Sequence, residues 1–241
     1  DKAAEAYEKV LLIDDRHEAT YESLERLYRQ ANRPHELVDT LRRHINAIVD
    51  PQVRIDLYAR MGQVYEEDIK DHDRAIESYN DILSFDGQNA YALAALSRLY
   101  EKIESWDRSI DAAARLIEVS EDGRTRVELN QRIGVIYESR IGEPDTAEAY
   151  YVNALSLDAA YVPAMQSLIS LYQRREDWQK ASQMMVRAEP FIASPLDKAK
   201  LLFEAGRIYR DKLEQQDTAV ELYAKVIALD PEHVDAGEPL S

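Results

Sequence analysis

Cysteine is absent from this 241-residue chain. Disulfides and thiolate metal sites are therefore excluded, and composition leaves the redox compartment open. Glycine (7) and proline (8) are sparse, which leaves long stretches free to form helices. No run of about 18 apolar residues occurs, because charges interrupt every stretch, so no membrane span is expected. Basic residues are in deficit, 30 against 46 acidic ones, for a net charge of −16. Such a field repels phosphate backbones and anionic lipid, and argues against nucleic-acid or membrane partners. It would favour basic partners, although a solvated acidic surface is the more ordinary reading. Signs of chemistry are missing too. The glycines are isolated, so no phosphate-cradling loop is present, and no serine sits in a nucleophile elbow. His17, His35, His44, His72 and His233 show no metal-ligand spacing and are read as surface residues. No catalytic residue, cofactor site or metal site is expected, and the chain reads as a non-enzyme.

What the chain has is repetition. Gly62, Tyr65, Asp73, Ala75, Tyr79 and Asp86 return as Gly134, Tyr137, Asp145, Ala147, Tyr151 and Asp158. They return again as Gly206, Tyr209, Asp217, Ala219, Tyr223 and Asp230, each time 72 residues on. The second half of the set also opens the chain, as Asp1, Ala3, Tyr7 and Asp14. A fixed period over the full length is the mark of an array in which each unit packs on its neighbours. Tyrosine further recurs at Tyr28, Tyr65, Tyr100, Tyr137, Tyr172 and Tyr209, at intervals alternating between 37 and 35. The period is thus two helical hairpins with slightly different loops.

Apolar residues at helical spacing predict about 13 helices. Asp1, Asp73, Asp145 and Asp217 are expected as N-caps, and Asp14, Asp86, Asp158 and Asp230 as helix ends. Second helices are expected to begin near Pro34, Trp106 and Trp178, with Ser105 and Asp177 as caps. The two tryptophans share a phase at the corner of a hairpin and are read as packing residues. A longer helix is expected over about 52–69. Glycine in its interior costs roughly 1 kcal/mol, so Gly62, Gly134 and Gly206 point to close helix crossings. Pro190 should end a helix after about Ala188. Gly237 and Pro239 interrupt a further one. Neither end has a polar capping helix, so apolar edges are expected there.

The order Gly, Tyr three later, Ala and Tyr in the next helix, then Leu-Asp-Pro resembles the tetratricopeptide repeat. It is clearest at Ala205-Gly206, Tyr209, Ala219, Tyr223 and Leu229-Asp230-Pro231. Alternate units depart from it, with Glu25, Ser97 and Ile169 in place of glycine, and Tyr65 to Ala75 is one residue longer than usual. The resemblance implies an all-α, right-handed α-solenoid of antiparallel hairpins, with six to seven units in a single array over 1–241. The boundaries are a partial unit 1–17, units near 18–54, 55–89, 90–126, 127–161, 162–198 and 199–233, and an irregular tail 234–241. Starting in mid-repeat and without Met, the chain reads as a piece of something longer. Its compartment stays open between cytoplasm and periplasm.

In this family the first helices line a concave groove, which implies a scaffold that binds a protein or peptide segment. The groove positions carried over are Arg26 and Arg29 with Glu22, Gln63 with Ala59 and Glu66, and Arg98 and Lys102 with Ala94 and Glu101. Later units add Gln131 with Val135, Gln166 with Ser170 and Gln173, and Arg207 with Phe203 and Arg210. Arginine at 26, 98 and 207 stands out in an acidic chain. It is read either as a contact for a partner carboxylate or as locally paired: Arg26 with Glu22, Arg98 with Glu101, Arg207 with Asp211. On the first reading, Arg98→Glu should change binding without changing stability. Members that clamp a chaperone tail use groove asparagines, and none stands at the matching positions, so that activity is not implied. Three further readings are a recruiting arm of a larger enzyme, an RNA-processing scaffold of related repeats, disfavoured by the charge, and self-association through uncapped ends.

Overall fold

The computed structural model describes residues 2–231, in which thirteen α-helices alternate with short turns and no strand occurs among the described residues. They are α1 (Lys2–Ile13), α2 (Glu18–Gln30), α3 (Pro34–Ala47), α4 (Pro51–Gln63), α5 (His72–Phe85), α6 (Ala90–Lys102) and α7 (Trp106–Val119). There follow α8 (Gly123–Ile136), α9 (Pro144–Leu157), α10 (Val162–Arg174), α11 (Trp178–Ala188), α12 (Pro195–Asp211) and α13 (Gln216–Leu229). The chain divides into two compact units, Asp1–Val119 and Ser120–Ser241. In each, even-numbered helices pair with the odd-numbered helix that follows, and each pair packs on the next, as α3 does on α4 and α9 on α10. This is an all-α solenoid architecture of antiparallel hairpins.

The three glycines sit where a second helix crosses a first one closely. A Cβ at Gly62, Gly134 or Gly206 would stand 2.8, 2.5 or 2.7 Å from the ring of Tyr79, Tyr151 or Tyr223. Each of these rings is buried, as is the alanine one turn before it. In the other hairpins Glu25, Ser97 and Ile169 replace glycine. The corresponding step of the second helix then carries Leu41, Ala113 or Met185, also buried, instead of tyrosine. With Glu25–Leu41 and Ile169–Met185 the bulk lost on the second helix is returned on the first, which keeps the layer filled, whereas Ser97 and Ala113 are both small.

The two kinds of hairpin also differ at the turn inside the hairpin, although the longer 37-residue step follows the shorter turn, so the alternation of the intervals itself arises in the links between hairpins. The carbonyls of Tyr28, Tyr100 and Tyr172 accept the N–H five residues on, from Arg33, Ser105 and Asp177. Those of Tyr65, Tyr137 and Tyr209 accept the N–H six residues on, from Asp71, Glu143 and Gln215. The extra residue widens the end of the first helix into a π turn at Val64–Ile69 and Tyr137–Ile141, so the expected straight helix to Ile69 changes pitch at Val64. The residue before each closing donor is left-handed: Asn32, Lys70, Glu104, Gly142, Glu176 and Glu214, with φ between 52° and 81°. Only one of the six is glycine.

Several helix ends follow the sequence and others do not. Asp177 caps α11, its side chain accepting from Lys180 N at 3.2 Å, and α11 stops at Ala188 ahead of Pro190. Asp86 and Asp158 end their helices and accept the N–H two residues on, a turn that stops the helix from continuing. Asp73, Asp145 and Asp217 are not N-caps. They lie in the first turn, and the cap of α5 is Asp71, whose side chain accepts from Arg74 N. A carboxylate still helps there, because the helix dipole favours negative charge throughout the first turn. At the N-terminal edge Leu12 and Ile13 are 84% and 89% exposed. The cap expected at Asp1, the histidine at 233 and the breaks at Gly237 and Pro239 lie outside the described residues.

Candidate protein-binding face of the first helices

Residues spaced by three and four on α2, α4, α6, α8, α10 and α12 share one face of each helix. On α2 and α4, Arg26, Arg29 and Gln63 come together around a recess of about 570 Å³, with Glu22, Glu25, Gln30 and Arg60. Arg26, Arg29, Gln30 and Gln63 are exposed, and none of their side chains has a hydrogen bond or ion pair among the described residues. The expected Glu22–Arg26 pair does not form.

Arg98 and Lys102 are placed differently. Both reach from α6 to Glu66 in the π turn that follows α4, Arg98 through both its terminal nitrogens and Lys102 at 3.0 Å. Glu66, expected on the open face, is 5% exposed. Burial pushes its pKa up, but the hydrogen bonds and charges of Arg98 and Lys102 outweigh that and hold it below the ordinary glutamate value. Arg98 is therefore paired across hairpins, not with Glu101 as the sequence suggested, and is a tie between consecutive first helices.

In the second unit, Gln131 on α8 is half-buried and donates to Ser167 Oγ on α10 at 2.8 Å. Gln166 is exposed on α10. Arg207 on α12 borders a smaller recess of about 200 Å³, with Gln173, Trp178, Glu204 and Lys212. Its expected partner Asp211 is held by Arg210 at 2.7 and 3.2 Å. Trp178 packs on the core beneath, with the Lys212 ammonium 5.0 Å from its ring centroid.

One polar cluster was missed. His44 is buried, against the expectation that the histidines are surface residues. It stacks flat on Tyr21, centroids 4.5 Å apart, and its Nδ1 lies 3.4 Å from the Glu25 carboxylate, whose other oxygen accepts from Arg60 at 3.2 Å. A carboxylate in the glycine position needs such partners, since an unpaired buried charge is costly. The signal was Glu25 itself, a charge at a core phase of the period.

Comparison with known proteins agrees with this geometry. The tetratricopeptide repeat model matches residues 55–89, 127–161 and 199–233, and a second model of the same repeat matches 20–55, together more than half of the chain. No curated protein matches significantly. Among solved structures, the C-terminal part of a TPR repeat-containing protein from Cytophaga hutchinsonii is similar over 100% of this chain and 94% of its own, at 14% identity and a TM-score of 0.60. A tetratricopeptide repeat protein from Parabacteroides merdae covers 91% and 97%, at 14% identity and 0.53. Pseudomonas aeruginosa PilF covers 93% and 96%, at 18% identity and 0.50. Identities this low speak to the fold alone, whereas the repeat matches speak to kinship. The chain belongs to the tetratricopeptide repeat family.

Proposed function

We propose that this protein is a non-enzymatic scaffold that binds an extended or helical segment of a partner protein along the exposed face of its first helices. Tetratricopeptide repeats support a protein-interaction role in general, and the finer reading rests on one contrast. Cations along this face are either consumed by internal carboxylates, as Arg98 and Lys102 are by Glu66, or left without a side-chain hydrogen bond or ion pair among the described residues, as Arg26, Arg29 and Arg207 are. Exposed guanidiniums in a chain of net charge −16 would find internal partners readily if only solubility were served. Glutamines 63 and 166 add amides able to bond a peptide backbone.

The test is a peptide array of acidic, basic and apolar segments probed with the intact chain and with an Arg26→Ala/Arg29→Ala variant. Binding of a subset of peptides, weakened severalfold in the variant at unchanged Tm, is the expected result. An array on which no peptide binds sinks the proposal.

A further inference from the structure

Two residues of the first complete hairpin leave the period together. At the glycine phase of α2 stands Glu25, where the hairpins 72 and 144 residues on carry Ser97 and Ile169. Beside it on α3 stands His44, where they carry Leu116 and Ala188. All four counterparts are buried, so the fold closes this layer elsewhere without any charge. Glu25 and His44 are themselves 7% and 3% exposed, and a carboxylate set that deep is costly unless it is paired. Packing alone does not call for the pair.

What the pair holds is Arg60. One carboxylate oxygen of Glu25 lies 3.4 Å from His44 Nδ1, and the other accepts a single N–H of Arg60, from α4, at 3.2 Å. The Arg60 side chain is half exposed, and its remaining donors have no partner among the described residues. It stands at the recess of about 570 Å³ between α2 and α4 that Arg26 and Arg29 also line. Solvent reaches that recess, since Arg26 and Arg29 on its walls are exposed and their side chains are unengaged. Three guanidiniums thus face one open space in a chain of net charge −16, with the exposed Glu22 as its only uncommitted carboxylate among the described residues. A pairing of Glu22 with Arg26 along the helix would be weak, and competes little with a ligand.

We propose that this recess binds an aspartate or glutamate side chain of the partner segment through Arg26, Arg29 and Arg60, with Glu25 and His44 as positioning residues for Arg60. This rests on the reading of the first-helix face as a peptide-binding surface and adds the partner's chemistry. A carboxylate accepts paired N–H groups from a guanidinium, and a guanidinium fixed from behind loses less freedom on binding. The exposed amides of Gln30 and Gln63 can bond the peptide groups on either side of the acidic residue. Glu22 and the negative field of the chain oppose a doubly charged phosphate more than a single carboxylate.

Fluorescence anisotropy with the intact chain tests it, using labelled glycine–glutamate peptides, acetylated and amidated so that no terminal carboxylate competes, against their glycine–glutamine counterparts. The glutamate peptide should bind roughly tenfold more tightly. Arg29→Gln, a change at an exposed side chain with no internal bond, should remove most of that preference without affecting the glutamine peptide. The double variant Glu25→Ser/His44→Leu copies Ser97 and Leu116 of the next repeat, so the core stays closed while Arg60 loses its tether. At the helicity of the parent chain it should lose the glutamate preference severalfold. A preference that survives in it would show the buried pair to be structural only, and would overturn the roles given to Glu25 and His44. Equal affinity for the two peptides, no binding of either, or a phosphoserine peptide displacing the glutamate one overturns the site. An array that binds basic or apolar segments and not acidic ones keeps the scaffold reading and sinks this one, so the two can fail separately.

Discussion

A single methyl group separates the glycines at the helix crossings from the others in the chain. At Gly134 it would press into the flat ring of Tyr151, held rigid in the core, whereas at Gly123 nothing lies within 4 Å. Gly134→Ala is expected to cost about 1–3 kcal/mol by overpacking, and Gly123→Ala about nothing, as urea denaturation of the two variants would show. The left-handed turn residues point the other way. That conformation costs a side chain about 1–2 kcal/mol, of which glycine's greater entropy loss returns about 0.5–1. Glu104→Gly and Glu176→Gly should each stabilise by about 0.5 kcal/mol or more, and a fall in the urea midpoint would contradict this. The crossing glycines were readable because a residue that weakens a helix recurred in register with a large aromatic. His44 was not, because its burial depends on Tyr21 and Glu25, which belong to another helix.

At the scale of helices, the informative contacts run between elements. Within one helix the sequence offers Arg98 a neighbour in Glu101. The bond it makes is to Glu66, 32 residues back, because consecutive hairpins place the end of one first helix beside the middle of the next. Periodicity gives which residues share a face, but not how far one helix is slid along another. The expectation that Arg98→Glu spares stability is therefore corrected: it would set a second carboxylate beside a buried one. With Arg98 about half exposed and Lys102 still present, the cost should be about 2 kcal/mol, below the roughly 3–5 kcal/mol of a fully buried pair that is broken. Calorimetric melting would measure it. The pair also carries a pH signature. The folded pKa of Glu66 lies below the ordinary value of 4.5 that it regains on unfolding. Its contribution is then complete above about that value and lost as pH falls through the lower, folded one. Urea midpoints taken from neutral to acid pH should fall less steeply in Glu66→Gln than in the parent chain.

For the whole chain, the period made the fold class, the helix number and most helix starts legible in advance. It did so because core residues repeat, while the residues that meet a partner need not. The groove list drawn from the repeat mixed free side chains with internal ties for that reason. Among the described residues each compact unit has a buried cluster, and each unit carries one tryptophan, Trp106 and Trp178. Repeat arrays unfold by neighbour-to-neighbour terms, not as one block. In Trp178→Phe and Trp106→Phe variants, the remaining fluorophore should therefore report different urea midpoints, and coincident transitions would show a single cooperative unit instead.

The additional turn residue carried by every other hairpin sets the smallest interchangeable part of this protein. Insertion or excision of 72 residues keeps the two kinds of hairpin in alternation, whereas a step of 35 or 37 sets two hairpins of the same kind side by side. Lineages and engineers alike should find the chain growing or shrinking by twos, with odd-numbered versions poorly folded at the seam.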